Sequence, residues 1–250
     1  MTLPPEQEGF AYRFGWGPDG LAALAPAVAV VVIVDVLRFT SAVSAAVEAG
    51  ACVIPARWAD ERAAAFAASA NAILAGRREA GVPSLSPTDL LALRPGTRLV
   101  LPSPNGATLT AAAREHGGAT VLAGCLRNAS ATARRARQLA GDRPIAVIAS
   151  GECTPSGAIR PAVEDLIGAG AVLHGLDPAA AVTAPRCSPD AAAARAAFVA
   201  ARPLVIENLL ESTSGRQLVG WGWSDDVHTA AAFDVTDLAA QLVDGEYVAV

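Results

Sequence analysis

Residues Val28 to Val36 read VAVVVIVDV, an almost unbroken run of Val and Ile that ends at a carboxylate. β-Branched side chains are stiff at χ1 and fit a pleated surface. A run without polar alternation is the mark of a strand buried on both faces of a parallel sheet. A membrane span is the rival reading, because the apolar stretch reaches back to Leu21. A spanning helix needs about 20 apolar residues, whereas this stretch contains Pro26 and meets Asp35 and Arg38 at its end. The buried strand is therefore predicted. The opening MTLPPEQEGF carries acids and prolines where a secretory signal would be positive, so no export signal is expected.

A strand buried on both sides needs helices on both sides, and the rest of the chain supplies them. Helices are predicted over Ser41–Ala49, Asp60–Leu74, Ala107–Glu115, Ala129–Ala140 and Pro161–His174, alternating with strands at Cys52–Ile54, Arg98–Leu101, Thr120–Ala123 and Ile145–Ala149. Such alternation implies a three-layer α/β/α fold with a mostly parallel sheet. After Asp177 the chain turns helical, with candidates at Pro189–Ala201, Pro203–Leu210, Ser214–Val219 and Asp225–Ala232, and a possible edge strand at Tyr247–Val250. No linker or repeat divides the 250 residues, of which 52% are hydrophobic, so one domain over residues 1–250 is expected. The hydrophobic excess also suits a homo-oligomer.

Charge and cysteine usage narrow the function. A net charge of −5 without a basic tract argues against a nucleic-acid partner. Cys52, Cys125, Cys153 and Cys187 form no CxxC pair, which fits reduced thiols in the cytoplasm. There is no phosphate-loop GxxxxGK[ST], no GxGxxG after a strand, no GxSxG elbow and no histidine spacing for zinc.

In an open parallel sheet, ligands bind beyond the carboxyl ends of the strands. Four loops fall there. In VDVLRFTS, Asp35 could hold a hard cation and Arg38 could grip an anion with two parallel hydrogen bonds; alternatively the two pair with each other while Thr40 or Ser41 caps the helix. In SPNGATLT, Ser103, Asn105 and Gly106 precede a helix N-terminus suited to an anion, or form a plain turn with Asn105 or Gly106 at positive φ. In GCLRN, Arg127 could reach an anion and Asn128 could cap the next helix. Ser150–Gly157 offers Glu152. Downstream, Glu164 and Asp165 sit about 100° apart on a predicted helix, so one of the two is expected to face a site, or Glu164 is a solvated first-turn charge.

The ordered pieces Asp35–Arg38, Ser86-Pro87, Asn105-Gly106, Gly124–Asn128, Gly151-Glu152, Glu164-Asp165 with Ala169-Gly170, and Ser212–Asp226 resemble the 2-phosphosulfolactate phosphatase (ComB) family. The resemblance implies Mg²⁺-dependent hydrolysis of a small-molecule phosphate ester, 2-phosphosulfolactate, to 3-sulfolactate and phosphate, on the route to coenzyme M. On that reading Asp35 with Glu164 or Asp165 binds the metal, and Arg38, Asn105 and Gly106 contact phosphate. Ser103, Arg127 and Asn128 join the substrate-binding set, and Glu152 positions or deprotonates the attacking water.

The chain departs from the family pattern in several places. Gly76-Arg77-Arg78-Glu79-Ala80-Gly81 stands where the family reads G-E-R-x-x-G, Ser84-Leu85-Ser86-Pro87 stands for G-N-S-P, and Ser103-Pro104 for Thr-Thr. Phe39-Thr40-Ser41-Ala42 replaces the A-T-T-T that follows DVLR. Two other readings therefore stand beside the first: a phosphatase for another small phosphorylated acid, and a non-catalytic binding relative.

Overall fold

The computed structural model of the protein describes residues 7–79, 81–154, 156–178 and 186–250. Ala80, Pro155 and most of the MTLPPEQEGF opening lie outside these residues. The chain begins with β1 (Tyr12–Trp16), α1 (Gly17–Leu24), β2 (Val30–Val34), α2 (Phe39–Glu48), β3 (Cys52–Ala56), α3 (Glu61–Ser69) and β4 (Ile73–Leu74). Next come α4 (Pro87–Leu90), β5 (Arg98–Pro102), α5 (Gly106–His116), β6 (Thr120–Gly124), α6 (Ala129–Ala140) and β7 (Ile145–Ala149). A small antiparallel pair, β8 (Glu152–Cys153) and β9 (Ile159–Arg160), leads into α7 (Val163–Leu176). The chain then runs through α8 (Pro189–Ala201), α9 (Val205–Glu211), α10 (Thr213–Gly220) and α11 (Ser224–Ala231), and ends in β10 (Ala240–Val243) and β11 (Glu246–Ala249).

Nine strands form one mostly parallel sheet in the order β1-β7-β2-β6-β10-β11-β3-β5-β4. All five residues of β2 are fully buried, and Val32 lies between Leu122 of β6 and Val147 of β7. Its side chains alternate between two cores. Val30, Val32 and Val34 pack toward α6, α7 and α8, while Val31 and Ile33 pack toward α1, α2 and α5. The architecture is thus a three-layer α/β/α fold. No helix among the described residues is long and apolar enough to cross a membrane.

The sheet is two parallel blocks joined by a C-terminal hairpin. β10 pairs antiparallel with β6 and with β11, and β11 pairs antiparallel with β3. Three reversals leave β3, β5 and β4 directed against β2, so in a flat sheet the loop after β5 would be far from the loop after β2. Right-handed twist of roughly 20–25° per strand, over the five steps from β2 to β5, turns the second block by about 100–125° and offsets much of that reversal. The two loops do meet: the Gly106 amide donates to Asp35 Oδ2 at 2.9 Å.

Three expectations need correction. The Tyr247–Val250 segment is interior to the sheet, because Tyr247 is fully buried against the Phe39 ring and bonded to Thr110 through its hydroxyl. The helix expected to reach Leu74 stops at Ser69; Asn71 takes φ 48°, a left-handed conformation that ends the helix and releases β4. Strands β1 and β10 and helix α1 were not anticipated. At the back of the sheet, α7 and α8 touch closely at Gly170, where a Cβ would lie 2.1 Å from the Ala194 carbonyl oxygen.

Candidate active site

The site grows from the end of β2. Thr40 Oγ1 accepts from the Asp35 amide at 3.0 Å and donates to the Asp35 carbonyl at 2.8 Å, and Ser41 donates to the Val36 carbonyl at 2.7 Å. These hydroxyls lock the strand-to-helix turn and do not cap α2, the alternative the sequence had left open. Locked this way, the Asp35 carboxylate points at two amides, Phe39 N at 3.2 Å and Gly106 N at 2.9 Å. Asn105 precedes α5 at φ −101°, so this loop is no left-handed turn. The N-terminus of α5 does receive an anion, and that anion is the protein's own Asp35. The contact requires glycine: a Cβ on Gly106 would sit 2.3 Å from Phe39 Cδ1 and 2.8 Å from Asp35 Oδ2.

A second buried carboxylate stands beside the first. Asp165, in the first turn of α7, accepts from Val36 N at 2.7 Å and Gly151 N at 2.9 Å, tying the ends of β2 and β7 together. Glu164 is also buried, and its Oε2 has no hydrogen-bond partner among the described residues. Both neighbours are buried, against the expectation of one: in the first turn of α7 it is Val163 that is exposed, and the 100° between Glu164 and Asp165 carries neither to solvent.

Burial pushes the Asp35 carboxyl up to about 6, against the pull of its two amides and helped by the charges of Glu152 and Glu164. Burial also holds Asp165 well above the usual carboxylate range, with Asp35 and Glu164 adding to the rise. Two buried carboxyls raised together mark a candidate functional site. Among the described residues no three acidic, His or Cys side chains converge as a ready-made metal site. Mg²⁺ does not demand one, since it is held by one or two carboxylates and completed by water and phosphate oxygens. The orphaned Glu164 oxygen and the raised Asp35 fit that donor chemistry.

Above the carboxylates opens a cleft of about 160 Å³ whose walls include Asp35, Arg38, Ser103, Asn105 and Glu152. Asn105 Nδ2 donates to Glu152 Oε2 at 3.1 Å, and its Oδ1 accepts from the Cys153 amide at 3.3 Å. A larger hollow of about 710 Å³ lies near Phe14 and Trp16, but Asp19 and Asp190 are its only charged walls. Chemistry selects the smaller cleft.

A family model described as 2-phosphosulpholactate phosphatase matches residues 21–245. The chain belongs to this family. The comparison with curated proteins gives no match. The family is one of phosphatases, enzymes that hydrolyse phosphoric monoesters. In this 2-phosphosulpholactate phosphatase family member, the scattered motifs holding Asp35, Arg38, Asn105 and Glu152 come together at the cleft, with Gly106 bonded to Asp35 and Asp165 to the neighbouring Val36 and Gly151 amides.

Arg38 does not pair with Asp35. Its Nη1 donates to Asp226 Oδ2 at 2.7 Å, and its guanidinium lies 5.0 Å from the centre of the Trp223 ring. Arg78 Nη1 reaches the same Asp226 oxygen at 3.0 Å, and Ser86 Oγ donates to Oδ1. Asp226 itself is fully buried. Sequence reading placed Ser86 and Asp226 in the motif series without giving them a task; the signal was present, but the partners lie 140 residues apart.

Two members of the expected substrate-binding set are engaged elsewhere. The buried Arg127 pairs with Glu48 at 2.6 Å and donates to the Thr229 carbonyl. Asn128 precedes α6 without capping it; its side chain accepts from the Cys125 amide and donates to the Ala123 carbonyl, closing the turn after β6. The Gly106 amide is likewise committed to Asp35. Cys125 is buried with its thiol pushed up by desolvation, which is the opposite of an activated nucleophile.

Proposed function

We propose that this protein is a Mg²⁺-dependent phosphatase that hydrolyses 2-phosphosulpholactate to 3-sulfolactate and phosphate. The observation that carries the proposal is the pair of buried, raised carboxyls Asp35 and Asp165, the first of which lines a cleft with Arg38 and Glu152, together with a Glu164 Oε2 that has no partner among the described residues.

Asp35 with Glu164 or Asp165 would hold the metal, which when bound would neutralise charge on the transferring phosphoryl group. Arg38 uses one nitrogen on Asp226 and keeps its remaining donors for an anionic oxygen in the cleft. Glu152 is half-buried and steadied by Asn105, so its carboxylate can orient the attacking water and accept its proton. Ser103 stands on the same wall as a hydroxyl donor.

A second reading, hydrolysis of another small phosphorylated acid, is favoured by one observation. The sequence has no lysine, and of its 19 arginines Arg38 alone lines the cleft, beside Leu85, Leu218 and Trp221. The deciding experiment measures phosphate release from 2-phosphosulpholactate, 2-phospholactate and simpler monoesters, with Mg²⁺ and with chelator. Chelator-sensitive release from 2-phosphosulpholactate is expected. Release from another ester alone would move the substrate to the second reading, and no release from any ester would refute both.

A further inference from the structure

We infer that Asp226 is a positioning residue of the site, acting on the anionic ligand only through Arg38. The inference rests on the proposed role of Arg38 as the anion-binding guanidinium. Two guanidiniums, those of Arg38 and Arg78, lie 5.0 and 5.6 Å from the centre of the same Trp223 ring. Like charges so placed repel unless an anion stands between them. Asp226 is that anion: one oxygen takes Arg38 Nη1 at 2.7 Å and Arg78 Nη1 at 3.0 Å. The other oxygen is fixed by the Ser86 hydroxyl, while Asp89 holds the far side of Arg78 at 3.4 Å.

The consequence is directional. Arg78 has two carboxylates and does not line the cleft, whereas Arg38 has Asp226 alone among the described residues and faces the cleft with its remaining donors. Asp226 is fully buried and lines no part of the cleft, so it cannot touch the ligand. What it does is hold the Arg38 guanidinium by one nitrogen beside the Trp223 ring, leaving its other donors for the cleft. A long arginine side chain freed from such a restraint regains its rotamer entropy and must lose it again on binding.

Simple Coulomb reasoning gives the opposite sign: removing a negative charge near an anion site should tighten the anion. The two effects are separable by experiment. Inorganic phosphate binding would be followed by calorimetry for the wild type, Asp226→Asn, Arg38→Ala and the double variant, with turnover of 2-phosphosulpholactate measured in parallel. Asp226→Asn should weaken phosphate and lower kcat/KM by roughly tenfold to a hundredfold, the worth of a charge-assisted hydrogen bond. In the Arg38→Ala background the same substitution should change neither quantity by more than about twofold, as expected of residues acting as one unit. Tighter phosphate in Asp226→Asn, or a loss that persists undiminished without Arg38, would overturn the inference.

Should Asp226→Asn melt too low to use, Ser86→Ala loosens the same carboxylate from its other oxygen and enters the same cycle, with the same expected collapse in the Arg38→Ala background. Phosphate affinity needs no turnover. An enzyme that cleaves none of the esters refutes the proposed reaction, and the binding cycle still decides the role of Asp226.

Discussion

Asp35 is a buried carboxyl raised by its surroundings. Its ordinary carboxyl pKa of 3.8 becomes about 6 in the folded protein, so the folded state holds a proton that the unfolded state has released. Stability from this group is therefore present below pH of about 4 and is lost as pH rises toward about 6. In metal-free protein, the stability advantage of wild type over Asp35→Asn should fall across that window by on the order of 3 kcal/mol or less, checked by urea unfolding at several pH values. The same variant should lose Mg²⁺-dependent turnover by roughly a hundredfold or more, since a bound metal supplies several kcal/mol to the transition state. Gly106→Ala should act on Asp35 from behind, displacing Phe39 and the carboxylate, with about 1–3 kcal/mol of destabilisation and weakened Mg²⁺ binding measured by calorimetry. At this scale the sequence was legible where the chemistry is local: Asp35 and Arg38 leave one strand together, and Asn105-Gly106 opens one helix. It was not legible where a side chain chooses among distant partners. Nothing near Arg38 in sequence says that its carboxylate is Asp226, 188 residues on, or that Arg127 is consumed by Glu48.

Secondary elements follow their own signals as far as those signals are local. β7 and α6 have the bounds read from the sequence, and β2 is buried along its length as its Val/Ile run requires. The exceptions are elements whose form depends on a partner. β1, YRFGW, looks like no particular strand until it pairs with β7, and β10 is fixed by β6 and β11. Helix α7 is apolar almost all round, as an interior helix must be, and Gly170 lets α8 come against it. Gly170→Ala would place a Cβ against the Ala194 backbone, which cannot yield as a side chain could. A loss of about 1–3 kcal/mol or more, read by denaturant midpoint at unchanged slope, is expected. Because α7 also carries Glu164 and Asp165, that loss should be accompanied by weaker Mg²⁺ binding.

Taken as a whole molecule, the site exists because the sheet is twisted. Parallel blocks of opposite sense, joined through β10 and β11, bring the ends of β2, β5 and β7 around one set of carboxylates. Alternation of strands and helices predicted the three layers; of the inserted hairpin, turned by Asp244-Gly245 at positive φ, sequence reading found only the second arm and placed it at the edge. Assembled this way, the molecule buries Asp35, Glu164 and Asp165 together, and the proposed Mg²⁺ site predicts that the cation stabilises the fold. The direct test is thermal melting with and without Mg²⁺, for wild type and Asp35→Asn, at pH 5 and pH 7.5. At about a hundredfold excess of Mg²⁺ over its Kd, wild type should gain roughly 5–10 °C at pH 7.5. The gain should be smaller at pH 5, where Asp35 holds its proton, and absent in Asp35→Asn. An unmoved wild-type melting temperature, or a gain that Asp35→Asn keeps in full, would contradict the carboxylate cation site.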